Sequence, residues 1–229
     1  MTREEVLQYL KERANPDNVA GMARYGINPQ NTLGVTMVAL REVAKTIGKN
    51  HSLAIELWQS GIHEARILAS LIDEPRLVTE EQAEAWVLDL DSWDVCDQLC
   101  SKLLDKTRFA WEKAKEWTKR DEEFVKRAGF VLIASLAVHD KKAEDTRFTA
   151  FFPLIRKGAD DSRNFVKKAV NWALRQIGKR NPALNEKAVQ LARELLTRET
   201  PSARWIARDA LRELTGEKVQ LRFAKRAGH

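Results

Sequence analysis

Five positions in this 229-residue chain fall at one place in a repeated pattern: Arg66, Asp97, Arg127, Lys168 and Arg208. Four are cationic and one is acidic. The segment Phe124-Val125-Lys126-Arg127-Ala128 returns 41 residues later as Phe165-Val166-Lys167-Lys168-Ala169, and more loosely after a further 40 as Trp205-Ile206-Ala207-Arg208-Asp209. Upstream, the interval from Arg66 to Arg127 has its midpoint within Trp93 to Asp97. Equivalent positions on successive inner helices of a helix-pair array line one concave face, so a row of bases there suits a phosphate backbone. The Arg of such a repeat also ties neighbouring helices together by ion pairs, and the pattern leaves both uses open. Asp97 interrupts the row and has Arg66 or Arg127 as possible ion-pair partners. Trp93 lies four residues before Asp97, one turn away on the same face, while Trp172 follows Lys168 by four with Arg175 three beyond. Aromatic rings and charges then share a surface, although tryptophan at helical spacing commonly packs in a core. Trp58, Trp86, Trp111 and Trp117 are read as core.

The elements that must position these residues are helices. Apolar residues recur at helical spacing, as in Ala65, Leu68, Ala69, Ile72 and in Phe124, Ala128, Val131, Leu132, Leu136, and strand-like alternation is absent. Breaks fall at Asn15-Pro16-Asp17, Gly26 to Gly34, Lys49-Asn50, Asp73-Glu74-Pro75, Lys119 to Asp121, Asp140 to Glu144, Gly158 to Ser162, Arg180-Asn181-Pro182 and Glu199-Thr200-Pro201. The expectation is about a dozen helices and no sheet. With a period near 40, they form a right-handed all-α solenoid of about six HEAT-like helix pairs, one domain over residues 1–229 with a concave basic face. Asp91 is the expected cap of the helix carrying Asp97, and Asp94, in its first turn, is read as a structural acid favouring the helix dipole.

Composition narrows the function. The chain is 44% apolar and 31% charged, which excludes a disordered or fibrous protein. The net charge of +6 is unevenly spread: residues 51–100 hold two bases and eleven acids, residues 101–229 thirty bases and seventeen acids. The basic C-terminal half suits a polyanion. The four histidines, His51, His63, His139 and His229, are scattered. Cys96 and Cys100, four apart on one helix, are read as reduced core residues, so no zinc spacing assembles and neither metal nor cofactor is expected. No stretch approaches the roughly 18 uncharged apolar residues of a membrane helix, and charges interrupt Met1 to Arg13, so a cytoplasmic protein with no membrane partner is expected.

Together these segments resemble a known family. Met22-Ala23-Arg24-Tyr25-Gly26 with Leu33-Gly34-Val35, Asp91-Ser92-Trp93-Asp94-Val95-Cys96-Asp97, Phe124 to Ala128, and Asn164 to Arg175 look like the DNA alkylation repair family of HEAT-like glycosylases, in order and over nearly the whole chain. The most specific parts are Trp93-x-x-x-Asp97 and Lys168-x-x-x-Trp172-x-x-Arg175. The resemblance implies hydrolytic removal of cationic alkylpurines, such as 3-methyladenine and 7-methylguanine, from duplex DNA; a solenoid that holds the duplex in one concavity works as a monomer, which is the expected state. It makes Asp97 the catalytic carboxylate, Trp93 and Trp172 aromatic walls around the lesion, and Arg127 a backbone contact. Arg175 and Tyr25 become binding residues beside the row members Lys168 and Arg208. Ser92 departs from the pattern, standing where some relatives carry a second tryptophan. Two other uses remain for such an array: a noncatalytic DNA-binding module, or a protein-interaction scaffold, which has no need of the basic row.

The implied chemistry is compatible with this small set. An alkyl group at N3 or N7 puts a positive charge on the purine, which then leaves without protonation, so a second carboxylate as general acid is dispensable. As the glycosidic bond stretches, the sugar gains oxocarbenium character that one carboxylate can stabilise while orienting water. A cationic base or sugar over a tryptophan face gains about 0.5 to 2 kcal/mol that a neutral base does not.

Overall fold

The structure is a computed structural model and describes residues 1–227; His229 lies outside that range. Among the described residues there are fifteen α-helices and no strand. They group into two compact units, Met1–Ala110 and the remainder from Trp111 onward.

The first unit holds α1 (Arg3–Glu12), α2 (Pro16–Arg24), α3 (Met37–Ile47), α4 (His51–Gln59), α5 (His63–Ile72), α6 (Glu80–Leu88) and α7 (Trp93–Gln98). Polar caps start most of them. Thr2 and Glu5 form a reciprocal capping box on α1, and Asn15, Thr36, Asn50 and Thr79 each accept a backbone N–H in the first turn that follows. Beneath them Leu10, Leu40, Leu57, Leu68, Ile72, Leu99 and Leu103 are fully buried, each contributing roughly 1.5 to 3 kcal/mol of burial. Trp58 and Trp86 stack at 4.2 Å with planes 2° apart, and the Trp58 indole N–H donates to Asp89 at 2.9 Å.

The second unit contains α8 (Ala110–Trp117) from Trp111 on, α9 (Glu123–His139), α10 (Asp145–Thr149), α11 (Phe152–Gly158), α12 (Asn164–Gly178), α13 (Pro182–Leu196), α14 (Pro201–Leu214) and α15 (Glu217–Ala227). The central helix α9 is buried on every face from Arg127 to Ala137, a stretch that is apolar but for Arg127 and Ser135. It packs along α12, and α12 along α14. Trp111 stacks on Phe151 at 5.5 Å, with the Arg147 guanidinium 3.8 Å from its ring centroid. Trp58, Trp86, Trp111 and Trp117 are all buried, as their spacing predicts. Cys96 and Cys100 are buried thiols, and burial, followed by the neighbouring Cys96, holds the Cys100 thiol well above its usual range. A thiol so placed is neutral and inert.

Lateral side-chain contacts in the second unit span a range of steps around the 40 or 41 of the sequence repeat, such as 40 for Arg180 to Asp140 and 43 for Ser202 to Ala159, and several between the inner helices step by 38. Arg127 reaches Phe165, Arg156 reaches Glu194, Asn171 reaches Asp209 and Arg175 reaches Glu213. In these four contacts the difference of two or three residues is most of a helical turn, so the side chain meets the neighbour one turn before its repeat equivalent.

Candidate nucleic-acid interface and lesion site

The first unit carries Trp93, Asp97 and Tyr25. Helix α7 is only six residues long and passes directly into a π-helical turn, Leu99–Leu103, and a 3-10 turn, Leu104–Lys106. Asp97 sits just before that switch, half-buried, with its backbone carbonyl accepting the Ser101 hydroxyl at 2.6 Å. Widened turns of this kind are frequent at functional sites. Trp93 opens the helix one turn earlier, and its indole N–H donates to the Tyr25 carbonyl at 3.1 Å. One edge of the ring is thereby pinned. Tyr25 itself ends α2 with its side chain 76% exposed.

The cap of α7 differs from the sequence expectation. Ser92 is the N-cap residue, without a side-chain cap bond; it is fully buried, and its hydroxyl accepts the Asn28 backbone N–H at 2.9 Å. Asp91 instead accepts from the Asn28 side-chain amide at 2.6 Å, so both residues anchor the 26–34 loop. Asp94 bonds His63 Nε2 at 2.8 Å, in keeping with its structural reading. Burial disfavours the imidazolium of His63, but the hydrogen bond and charge of Asp94 outweigh it and raise the pKa.

That loop is held by a residue sequence reasoning missed. Glu64, on α5 and 1% exposed, accepts the backbone N–H groups of Leu33 at 2.9 Å, Gly34 at 2.6 Å and Val35 at 3.2 Å. Gly34 has φ +79°, and a Cβ there would collide with the Asn15 carbonyl oxygen. The Leu33-Gly34-Val35 segment is thus a backbone cradle around a buried carboxylate. Arg66, the first member of the row, donates to the Asp89 carbonyl at 2.9 Å and packs over Trp58, which is the tying role.

The second unit carries the other residues. Arg127 is 4% exposed and its Nη1 donates to the Phe165 carbonyl at 2.7 Å, linking α9 to α12. Arg175 bonds Glu213 at 2.6 Å and lies 3.4 Å from Asp209, linking α12 to α14. Lys168 and Arg208 differ: both are exposed and, among the described residues, form no ion pair. In the turn before α12, Asp161 is held down at about 2, burial being outweighed by hydrogen bonds from Arg163 and Lys126. Trp172 is half-buried on α12. With the Gln176 amide assigned so that its oxygen faces the two donors around it, that oxygen accepts the Trp172 indole N–H at 2.9 Å and Lys179 Nζ at 3.3 Å. Gln176 went unread in the sequence, although its i+4 spacing from Trp172 was a usable signal. Both candidate aromatic walls therefore have a fixed indole edge. Among the described residues no group of three His, Cys, Asp or Glu is placed to hold a metal ion, and no helix is long and apolar enough to cross a membrane.

Paired, stacked helices with side chains reaching from one repeat to the next define the HEAT-like class of helical-repeat proteins. Residues 6–214 match the family model for the DNA alkylation repair enzyme, and the chain belongs to that family. An uncharacterized protein of Listeria innocua, Lin0241, is 23% identical over 199 residues, covering 85% of this chain and 87% of that protein. A solved structure described as a new family of proteins related to the HEAT-like repeat DNA glycosylases, with affinity for branched DNA structures, matches with a TM-score of 0.78 at 21% identity. It covers 93% of this chain and 95% of its own, and shares the fold.

Proposed function

We propose that this protein is a monofunctional DNA glycosylase that hydrolyses the N-glycosidic bond of cationic alkylpurines, 3-methyladenine and 7-methylguanine, in duplex DNA. The observation that carries the reading is the pinning of Trp93, whose indole N–H donates to the Tyr25 carbonyl; in the other unit Trp172 is held likewise when the Gln176 amide is assigned with its oxygen toward the indole. A ring fixed at its N–H edge presents its face without loss of rotamer freedom when a cation stacks on it. Asp97, one turn from Trp93, supplies the carboxylate against which the sugar cation develops. Incubating the protein with methylated duplex and measuring released bases tests this. Free 3-methyladenine and 7-methylguanine are expected, and methylated DNA returned intact overturns it.

A second reading is a noncatalytic module that binds DNA by backbone and shape. Ser92 favours it, because a buried hydroxyl engaged with Asn28 leaves Trp93 as the one aromatic at the head of α7. The affinity for branched DNA of the structurally similar protein points the same way. Junction binding without base release selects this reading over the first.

Both readings require phosphate contacts, and the exposure of Lys168 and Arg208 makes them the row members that reach a backbone. Arg127 and Arg175 contribute field from inside their ties. Duplex binding should fall with rising salt, and Lys168→Ala and Arg208→Ala should each make the log-log slope shallower by about 0.9. Titrations between about 50 and 200 mM salt measure this; a wild-type affinity indifferent to salt removes the polyanion argument.

A further inference from the structure

The face of α12 that carries Lys168, Trp172 and Arg175 continues at the next helical interval to Lys179, the C-cap residue. There it meets a polar cavity of about 360 Å³. Its walls bring Lys141 from the turn after α9, Lys179 and Arg180 from the end of α12, and Arg222 from α15 together with one acid of the lining, Asp145. Both Asp145 oxygens accept from the Asn181 side-chain amide at 2.9 Å, which spends part of their acceptor capacity.

The cations are held in place rather than trailing in solvent. Arg180 donates Nη1 to the Ala137 and Asp140 carbonyls at 2.8 and 2.9 Å, and Nη2 to the Ala143 carbonyl at 3.2 Å. Its charge thereby offsets the negative end of α9. Arg222 Nη2 donates to the Lys179 carbonyl at 3.1 Å, which holds the guanidinium beside the cavity mouth. Lys179 Nζ bonds Glu213 at 2.7 Å and also reaches Gln176, the residue that pins Trp172. One side chain thus connects the wall of the cavity to the candidate lesion wall.

We propose that this cavity binds a phosphate group, and that the group is a backbone phosphate of the DNA strand passing Trp172. The proposal rests on the DNA-binding reading above for the source of the phosphate, while the cavity's charge and polarity stand without it. Four cations outnumber the carboxylates that face them, Asp145 on the wall, Glu213 on Lys179 and Asp140 near Arg180, and the surplus favours an anion. Guanidinium and ammonium donors converging from three segments suit tetrahedral phosphate oxygens. Continuity with Lys168 along about 16 Å of helix axis favours a polymer over a free ion.

Lys141→Gln together with Arg222→Gln tests it, since both side chains are exposed. The double variant should melt as the wild type does. Its log-log salt slope for duplex binding should be shallower by about 1 to 2. In a separate melt, excess inorganic phosphate should stabilise the wild type and not the double variant. A double variant with wild-type slope and wild-type phosphate stabilisation overturns the cavity. Loss of phosphate stabilisation with an unchanged DNA slope identifies a free phosphate as the occupant and overturns the backbone source. If Lys168→Ala and Arg208→Ala also leave DNA binding untouched, it is the DNA reading that fails, and the phosphate melt still decides the cavity.

Discussion

Asp97→Asn should slow excision of 7-methylguanine by about a thousandfold while leaving the melting curve in place. The substitution keeps the shape of the side chain and removes its charge. At ~4 Å and an effective dielectric near 20, a carboxylate attracts a unit positive charge by about 4 kcal/mol. If that attraction is felt by the sugar only as the glycosidic bond breaks, the whole of it lowers the barrier, and each ~1.4 kcal/mol is tenfold in rate. Substrate binding loses little and can gain, since an acid among cations repels phosphate. A structural ion pair makes the opposite forecast. Breaking it lowers stability, and activity follows only the folded fraction. Single-turnover rates beside melts of the same variant separate the two. A protein that melts early and excises at nearly the wild-type rate sinks the catalytic role of Asp97.

Much of the helical frame was legible because its boundaries use strong local chemistry. The breaks expected at Asn15-Pro16-Asp17 and Arg180-Asn181-Pro182 fall where they are expected, with Asn15 and Asn181 found to cap α2 and α13, and the Phe-Val-Lys-Lys/Arg-Ala repeat marks the laterally packed helices α9 and α12. The break between α10 and α11 was not read, although Pro153 stands in the first turn of α11. Ala150-Phe151 separates α10 from α11 inside an apolar run whose Phe148 and Phe151 are both buried, so polarity gives no hint there. The π-helical turn after Asp97 was likewise invisible, since Leu99 to Leu103 has ordinary helical composition.

The site was legible in its residue types more than in their partners. Spacing put Trp93 with Asp97 and Lys168 with Trp172, and helical geometry keeps each pair on one short stretch of α7 or α12. Partners 38 residues away follow from how far one helix is displaced along the next, which no single repeat encodes. For that reason the sequence could not separate Arg127, buried against Phe165, from Lys168 and Arg208, which face solvent. All three occupy equivalent repeat positions, and only packing distinguishes them.

Glu64→Gln should lower the melting temperature by roughly 10 °C. The carboxylate is 1% exposed and spends its acceptors on three backbone N–H groups, Leu33 on one oxygen and Gly34 and Val35 on the other. An amide of the same size has one oxygen. Whichever way it turns, its NH₂ faces a backbone donor, and at least one buried N–H is left without an acceptor. Charge-assisted bonds are worth about 1.5 to 3 kcal/mol each, and an unsatisfied buried donor costs a further 1 to 3. A net loss of ~3 kcal/mol corresponds to the stated shift at 2 to 4 °C per kcal/mol. The consequence reaches the site through the loop that Glu64 holds. Released from it, the loop keeps its tie to Asp91 and Ser92 at Asn28 but loses its hold at residues 33–35; the looser loop follows Tyr25, whose carbonyl accepts the Trp93 indole N–H, so excision should fall further than the folded fraction accounts for. Gly34→Ala strains the same cradle from the other side, through its positive φ and the Asn15 carbonyl. The two variants should therefore share a phenotype. Thermal melts of both, with excision measured well below the transition, give the comparison. A Glu64→Gln protein that melts with the wild type would mean that the three backbone donors find other acceptors, and that Glu64 does not set the position of Tyr25.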